Sequence, residues 1–569
     1  MNQDILVDII NIGANGEGVA KYDGRTVFIP YTCVGEKVSA KVTHANKNVA
    51  FATLTKLITP SDDRVLPECK LFGKCGGCQL QHINYNQQLI IKANSVVNTF
   101  RKVGNIDIDM PTVVPSPCQY HYRNKLVLPI VQGDNGIEMG FFAQGTHKVI
   151  PLSSCPLHGQ WATDVIDVVR QFANQYGISG YDECSGKGVL RHLVVRKTNN
   201  ISVTLVINSD QLPHSQQLLA MLTERVGECN LYLSINTKRN NVVLGEKCIM
   251  VGGTPSTVDI LGYNFNVSPY SFLQVNDAVR DYMYSTVRQL SEGSAITLID
   301  AYSGVGATSC LLASGYSHVY GIEIVKQATI DADCLASKYG LSHKITNLNG
   351  DCRMLLPQLL ERLVGSDDVS RPTAQPNATI IDSIDSMNSC NSQDNVAQSI
   401  DCIVARGSSV TGNTTCINND DLIKHSALDR PNTIEHSVNT DSSGSSHTQA
   451  NSCIVVNTHE QLGDQGSTED GQCQCNLLSA DSNNTISSGR ADHITVLLDP
   501  PRKGCDKEII DSLCRYKPSR IIYISCNPST LARDIAPLLN DYTISTLQLF
   551  DLFPQTSHIE TLVSLIKKS

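Results

Sequence analysis

Ile521-Ile522-Tyr523-Ile524-Ser525-Cys526-Asn527-Pro528 is an apolar, β-branched run that stops at a thiol and then turns. Asn-Pro diverts the chain from further strand, and a helical pattern follows from Ser529 to Leu539. The thiol is therefore expected at the carboxyl edge of a sheet, where ligands bind in open α/β folds. Amides at the start of the following helix favour thiolate over thiol. On this segment alone two readings stay open: a nucleophile, or a cysteine that merely fills a strand end.

Working outward, Thr297-Leu298-Ile299-Asp300, Val319-Tyr320-Gly321-Ile322-Glu323 and Val496-Leu497-Leu498-Asp499 are further short apolar strands, and all three end on a carboxylate. They alternate with helical patterns, which predicts an α/β fold with a doubly wound, mostly parallel sheet. The expected order of domains is a small β-barrel over 1–57, a cysteine loop over 58–92 and a mixed α+β domain over 93–265. The doubly wound domain then takes 266–365 and 491–569. Between its halves, residues 366–490 are rich in Ser, Asn, Asp, Thr and Gly, and a disordered acidic insertion is expected there.

That stretch distorts the charge balance. The chain has 45 basic and 55 acidic residues, but sixteen acidic and five basic ones lie between Asp367 and Arg490. The remainder is near neutral, so a local basic face that binds nucleic acid is not excluded. No apolar run approaches the roughly 18 residues of a membrane span, and Met1-Asn2-Gln3-Asp4 has no basic leader. A cytoplasmic monomer with no membrane partner is the expectation. The 21 cysteines then point to metal ligation or catalysis rather than disulfides.

Asp300-Ala301-Tyr302-Ser303-Gly304-Val305-Gly306-Ala307 follows a strand and opens a helical stretch. Gly304 and Gly306 allow close approach of backbone to a ligand. Glu323, about 20 residues on, ends the next strand, where an acceptor for ribose hydroxyls is expected. Asp351 in Asn349-Gly350-Asp351 is either an adenine-side contact or a turn residue. A dinucleotide reading is weakened because Ser309 stands where a third glycine would fall. The loop resembles the first motif of Rossmann-like methyltransferases that use S-adenosylmethionine (SAM).

Five segments together carry a closer resemblance. They are Leu498-Asp499-Pro500-Pro501-Arg502, Ser525-Cys526-Asn527-Pro528, Thr530-Leu531-Ala532-Arg533-Asp534, Phe553 to Glu560 and Phe272-Leu273-Gln274-Val275-Asn276. They resemble the RNA uracil-C5 methyltransferase family over nearly the whole chain outside the insertion. The resemblance implies that Cys526 is the nucleophile that adds to C6 of uracil and that Glu560 removes the C5 proton. It implies that Asp499, Gln274 and Tyr302 serve the cofactor site with Gly304, Gly306, Glu323 and Asp351. RNA cytosine-C5 methylation also uses a thiolate, but Pro500 is followed here by Pro501 rather than cysteine, which favours uracil.

Cys69, Cys75 and Cys78 fall within ten residues in a glycine-containing loop, and Cys155 could complete a set of four. Four thiolates suit zinc or a [4Fe–4S] cluster, and spacing alone does not separate them. Resemblance to the ribosomal-RNA branch of the family favours [4Fe–4S] and 23S ribosomal RNA as substrate. Gly13, Gly16, Gly18 and Pro30 among short strands resemble a TRAM domain, an OB-like RNA-binding barrel. In His121-Tyr122-Arg123-Asn124-Lys125, aromatic and basic residues alternate, so Tyr122, Arg123 and Lys125 are candidate RNA contacts. A uridine must leave its stack to reach Cys526, which favours a single-stranded loop.

Overall fold

The computed structural model describes residues 4–291, 296–364 and 490–568. The expected disorder of the insertion and its cysteines Cys390, Cys402, Cys416, Cys453, Cys473 and Cys475 lie outside the described residues. The first six strands, from Asp4–Asp8 to Val49–Thr59, form one sheet. Alternate residues of these strands, among them Ile5, Ala20, Val27, Val38 and Ala52, share a single core. The sheet therefore curls round that core, as the barrel reading predicted.

A second sheet of seven strands runs from Lys125–Gly133 to Lys247–Gly253. Helices Gln160–Tyr176 and Ser215–Val226 pack on it, with Val165, Val169, Phe172, Leu218 and Leu222 buried.

The third sheet holds the site. Its strand order is Ile345–Asn349, His318–Glu323, Thr297–Ala301, Ile494–Leu498, Arg520–Ser525, Glu560–Lys567, Tyr542–Phe550 and Thr112–Val114. The first five are mutually parallel. Glu560–Lys567 runs antiparallel to both its neighbours. Ile494–Leu498 is buried at all five positions, as expected for a parallel strand covered on both faces. This is the doubly wound α/β architecture expected.

One boundary needs correction. The expected mixed domain began at 93, but Ala93, Val96, Phe100 and Ile106 belong to the core of the third sheet. Thr112–Val114 pairs in parallel with Gln548–Phe550 at its edge. Three residues between Pro111 and Pro115 are too few to show a strand period, so the sequence pattern misplaced them.

Candidate active site

Register fixes which residues meet. Ala301 pairs with Ile322 on one side and with Leu498 on the other, so the next residues, Tyr302, Glu323 and Asp499, leave the sheet together. Leu498 pairs with Tyr523. Ser525 pairs with Thr561 on the antiparallel strand, so Cys526 and Glu560 come next on the same edge. Glu323 pairs with Asn349, which puts Asp351 just past the far end. The predicted residues thus line one carboxyl edge of the sheet, the ligand edge of such folds.

The glycine loop is held open by its own backbone. Gly304 (φ +56°) and Gly306 (φ +77°) adopt left-handed conformations, and a Cβ on Gly306 would meet Ala332 at 2.8 Å. Gly304 N–H donates to Glu323 Oε2 at 3.0 Å, and Val325 N–H donates to Oε1 at 2.8 Å. Asp300 accepts from the Thr308 and Ser309 hydroxyls, both at 2.6 Å. Burial pushes its pKa up to about 6. Asp351 makes a local contact: it accepts from Arg353 N–H at 2.9 Å and pairs with the Arg353 guanidinium, which accords with the turn reading of that residue.

At the centre of the edge, burial and the nearby Asp300 charge push Asp499 up to about 7. Glu560 is 2% exposed. Burial, then the Asp499 charge, raise it well above the carboxylate range, and Arg502 opposes them. Burial, then Glu560, also raise the Cys526 thiol, while the charge of the nearby Arg502 guanidinium pulls it down. The sequence reading gave Arg502 no role. It is held there by its own carbonyl, which accepts from Asn527 Nδ2 at 3.0 Å and from the Thr530 hydroxyl at 3.4 Å. Asn527 also caps the helix Pro528–Ile535 by accepting from Ser529 N–H.

Gln274 is buried, and its carbonyl accepts from Asn124 Nδ2 at 3.0 Å. The loop that leads to Glu560 is fastened from a distance. Lys92 and Asp551 form a fully buried ion pair at 2.6 Å, and Lys92 Nζ also donates to the Phe553 carbonyl. Gln88 and Gln555 exchange two hydrogen bonds. The N–H groups of Gln79 and Leu80, directly after Cys78, both donate to the Gln555 carbonyl.

Cys69, Cys75, Cys78 and Cys155 line one cavity of about 60 Å³, together with Gln81, Arg123 and His158. Burial and mutual charge push Cys78 up to about 12, and burial, with charge from Cys69 and Cys75, brings Cys155 to about 11. As the side chains stand, no three His, Cys, Asp or Glu among the described residues are arranged to hold a metal ion. The four cysteines that share this cavity are nevertheless a donor set that fits a group bound by thiolates, whose binding would have to draw off their protons.

Of the expected RNA contacts, Tyr122 needs correcting, while Arg123 and Lys125 are partly exposed. Tyr122 is 8% exposed and its hydroxyl donates to the Pro554 carbonyl at 3.0 Å. It faces the Glu560 loop, where its ring offers no stacking surface. Arg123 lies over the Phe553 ring at 6.0 Å, and burial brings Lys125 down to about 8. A different aromatic surface exists on the barrel. Phe28 and Phe51 stack at 5.6 Å, with Phe51 46% exposed. They line a groove of about 480 Å³ with Lys102, Asn98 and Ser529. The available sequence signal was an aromatic residue flanked on both sides by smaller apolar ones on a short strand, Val27-Phe28-Ile29 and Ala50-Phe51-Ala52.

A doubly wound sheet with this strand order, a glycine loop backed by an acid and a thiol at the carboxyl edge defines a Rossmann-like methyltransferase fold, here joined to an N-terminal barrel. Comparison sharpens the class. Residues 484–568 match the family described as tRNA (Uracil-5-)-methyltransferase, and residues 2–55 match the TRAM domain. An uncharacterized RNA methyltransferase of Clostridium acetobutylicum is 28% identical over 100% of this chain and 97% of its own length. One from Listeria innocua is 27% identical over 100% and 98%. The crystal structure of Pyrococcus abyssi tRNA (uracil-54, C5)-methyltransferase with S-adenosyl-L-homocysteine aligns at TM-score 0.62 and 21% identity, covering 99% of this chain and all of that one.

Proposed function

We propose that this protein is a SAM-dependent RNA methyltransferase that methylates C5 of uridine through a covalent adduct, with 23S ribosomal RNA as the substrate. The carrying observation is the shared edge of Cys526, Glu560, Asp499 and Arg502. C5 of uracil is a poor nucleophile. Addition of the Cys526 thiolate to C6 gives an enolate whose C5 attacks the sulfonium methyl, which divides one hard step into easier ones. Arg502 stabilises the thiolate by its charge. After transfer, a base must take the C5 proton before the sulfur leaves. Glu560 suits this role because burial and the Asp499 charge raise its pKa, which makes it a stronger base than an ordinary carboxylate.

When bound, SAM supplies the electrophilic methyl group. Tyr302, Gly304, Gly306, Glu323, Gln274, Asp499 and Asp351 are the residues that would surround it. Cys69, Cys75, Cys78 and Cys155 would hold a [4Fe–4S] cluster of purely structural chemistry, since four protein thiolates leave the iron no open position. The loop after Cys78 grips Gln555, so the cluster would steady the approach to Glu560. Aerobically purified protein should be brown and contain about four irons per chain. Colourless, zinc-replete and fully active protein would overturn the iron assignment.

The Phe28–Phe51 groove supports an RNA substrate, because bases stack on exposed aromatic rings. Ser529 at its end is three residues from Cys526. Transfer RNA is the second reading, favoured by the overall likeness to the Pyrococcus abyssi enzyme. Cys526→Ala should bind RNA, transfer no methyl group and form no adduct with 5-fluorouridine RNA. Retained methylation would refute the nucleophile. Mass mapping of 5-methyluridine in ribosomal and transfer RNA from a deletion strain decides the substrate.

A further inference from the structure

Residues 121–125 are zipped to the turn that follows Cys155. His121 N–H donates to the Pro156 carbonyl and Arg123 N–H to the Leu157 carbonyl, both at 2.9 Å. His158 Nε2 lies 3.0 Å from the Lys125 carbonyl. The same segment reaches the active-site side. Asn124 N–H donates to the carbonyl of Val275, directly after Gln274, at 3.0 Å, and the Tyr122 hydroxyl donates to the Pro554 carbonyl. Arg123 is thereby fixed between the cysteine cavity and the loop that leads to Glu560, and it meets both. It lines the cavity with Cys69, Cys75, Cys78 and Cys155, and its guanidinium lies over the Phe553 ring at 6.0 Å.

Two of the residues that line this cavity bury a polar atom with no hydrogen-bond partner: Arg123 at Nε and His158 at Nδ1. They differ in what they offer. A carbonyl only accepts, so His158 Nε2 holds the hydrogen that bonds Lys125. Burial brings the ring down to about 4, so it is neutral and Nδ1 carries a lone pair alone. A guanidinium keeps its charge and its Nε–H in every protein setting. Arg123 Nε is therefore a buried donor for which the surrounding protein supplies no acceptor.

Sulfur is the acceptor that this wall already serves. Gly77 N–H donates to Cys75 Sγ at 3.4 Å. Four thiolates leave a bound cluster with net negative charge, and donors outside the ligand set steady such a group and tune it. The Arg123 charge acts in the same sense on the free thiols, since it opposes the burial that raises Cys78 and Cys155. One side chain therefore joins a donor without an acceptor, on the cysteine side, to a cation on an aromatic face, on the Glu560 side.

We propose that Arg123 is a positioning residue that couples the cysteine cavity to the Glu560 loop: its Nε–H donates to the thiolate-bound group, and its guanidinium braces the Phe553 ring. The proposal rests on the reading of this cavity as a [4Fe–4S] site. No step of methyl transfer is assigned to Arg123 itself.

The test compares full-length wild type, Arg123→Met, Arg123→Lys, Phe553→Leu and the Arg123→Met/Phe553→Leu double variant, all purified without oxygen. Two quantities are read: the cluster's reduction potential by spectroelectrochemical titration, and kcat for RNA methylation. Arg123→Met removes a donor and a cation from beside the cluster, so its potential should fall. Arg123→Lys keeps the charge and should hold the potential closer to wild type. In Arg123→Met kcat should also fall, roughly three- to tenfold, the worth of one cation–π contact. Phe553→Leu leaves the cavity wall intact and should lose as much kcat at wild-type potential. The double variant should lose no more kcat than either single one. If wild type carries no iron–sulfur cluster, the reading of the cavity fails and the coupling with it. If the cluster is present, an unchanged potential or an unchanged kcat in Arg123→Met overturns the coupling alone. Should Arg123→Met not fold, wild-type kcat in Phe553→Leu would overturn it by itself.

Discussion

Cys526 and Glu560 flank the last pair of two antiparallel strands, Ser525 with Thr561, and burial, then the Glu560 carboxylate, push the Cys526 thiol up. Asp499, brought to about 7 by burial and by Asp300, adds a third acid to the same edge. A folded-state pKa above the unfolded value means that the fold favours the protonated form. The stability this contributes is full below the unfolded pKa of about 3.9 and is lost as pH rises through about 7. Melting temperature should therefore fall over that window, and Asp499→Asn should flatten the fall. Parallel melting curves for variant and wild type would show that Asp499 ionises freely in the fold.

Proton removal and thiol addition should separate cleanly. Glu560→Gln retains Cys526 but removes the base, so methylated RNA should remain bonded to the protein. A stable RNA–protein band under denaturing conditions, with turnover reduced roughly 100- to 10,000-fold, is the expected result. Turnover close to wild type without such a band would assign the proton to another group.

Arg502 is the counterweight to those acids. With it replaced by alanine, the Cys526 thiol loses its neighbouring positive charge, and its pKa rises. The alkylation rate of Cys526 by iodoacetamide should shift to higher pH. Methylation lost at pH 7 should recover in part as pH is raised. An unshifted alkylation profile would place the guanidinium away from the sulfur in solution.

Lys92 and Asp551 are 1% and 0% exposed. Removing one partner strands a buried charge, which costs about 3–5 kcal/mol, whereas replacing both by apolar residues is often close to neutral. Denaturant unfolding of Lys92→Met should show a large loss, and the Lys92→Met/Asp551→Leu double variant should recover much of it. Tyr85 moderates the recovery, because its hydroxyl donates to Asp551 at 2.8 Å. Equal losses in the single and double variants would mean that the pair does not act as a unit.

The sheet edge was legible because each functional residue ends or begins an apolar strand. Asp499, Glu323 and Cys526 each stop such a run, and parallel pairing brings their ends together. Arg502 was not legible as a charge beside the thiol, since its position depends on carbonyl bonds from Asn527 and Thr530 that no periodicity reveals. Tyr122 misled for a related reason. Alternation of aromatic and basic residues shows that a strand has two faces, but which face is covered is decided by Pro554, 432 positions away. Thr112–Val114 was too short to read at all.

The Lys92–Asp551 pair also sets a timetable. Its partners are separated by 459 positions, and the Thr112–Val114 strand waits for Gln548–Phe550. During synthesis at roughly 5–20 residues per second, the helix Tyr85–Thr99 emerges some ~20–90 s before its acid and its sheet exist. Through that interval Ala93, Val96 and Phe100 lack the helix Pro528–Ile535 that packs beside them in the finished core. Full burial of this helix and of the Lys92 charge therefore waits until nearly the last strand of the chain has been made.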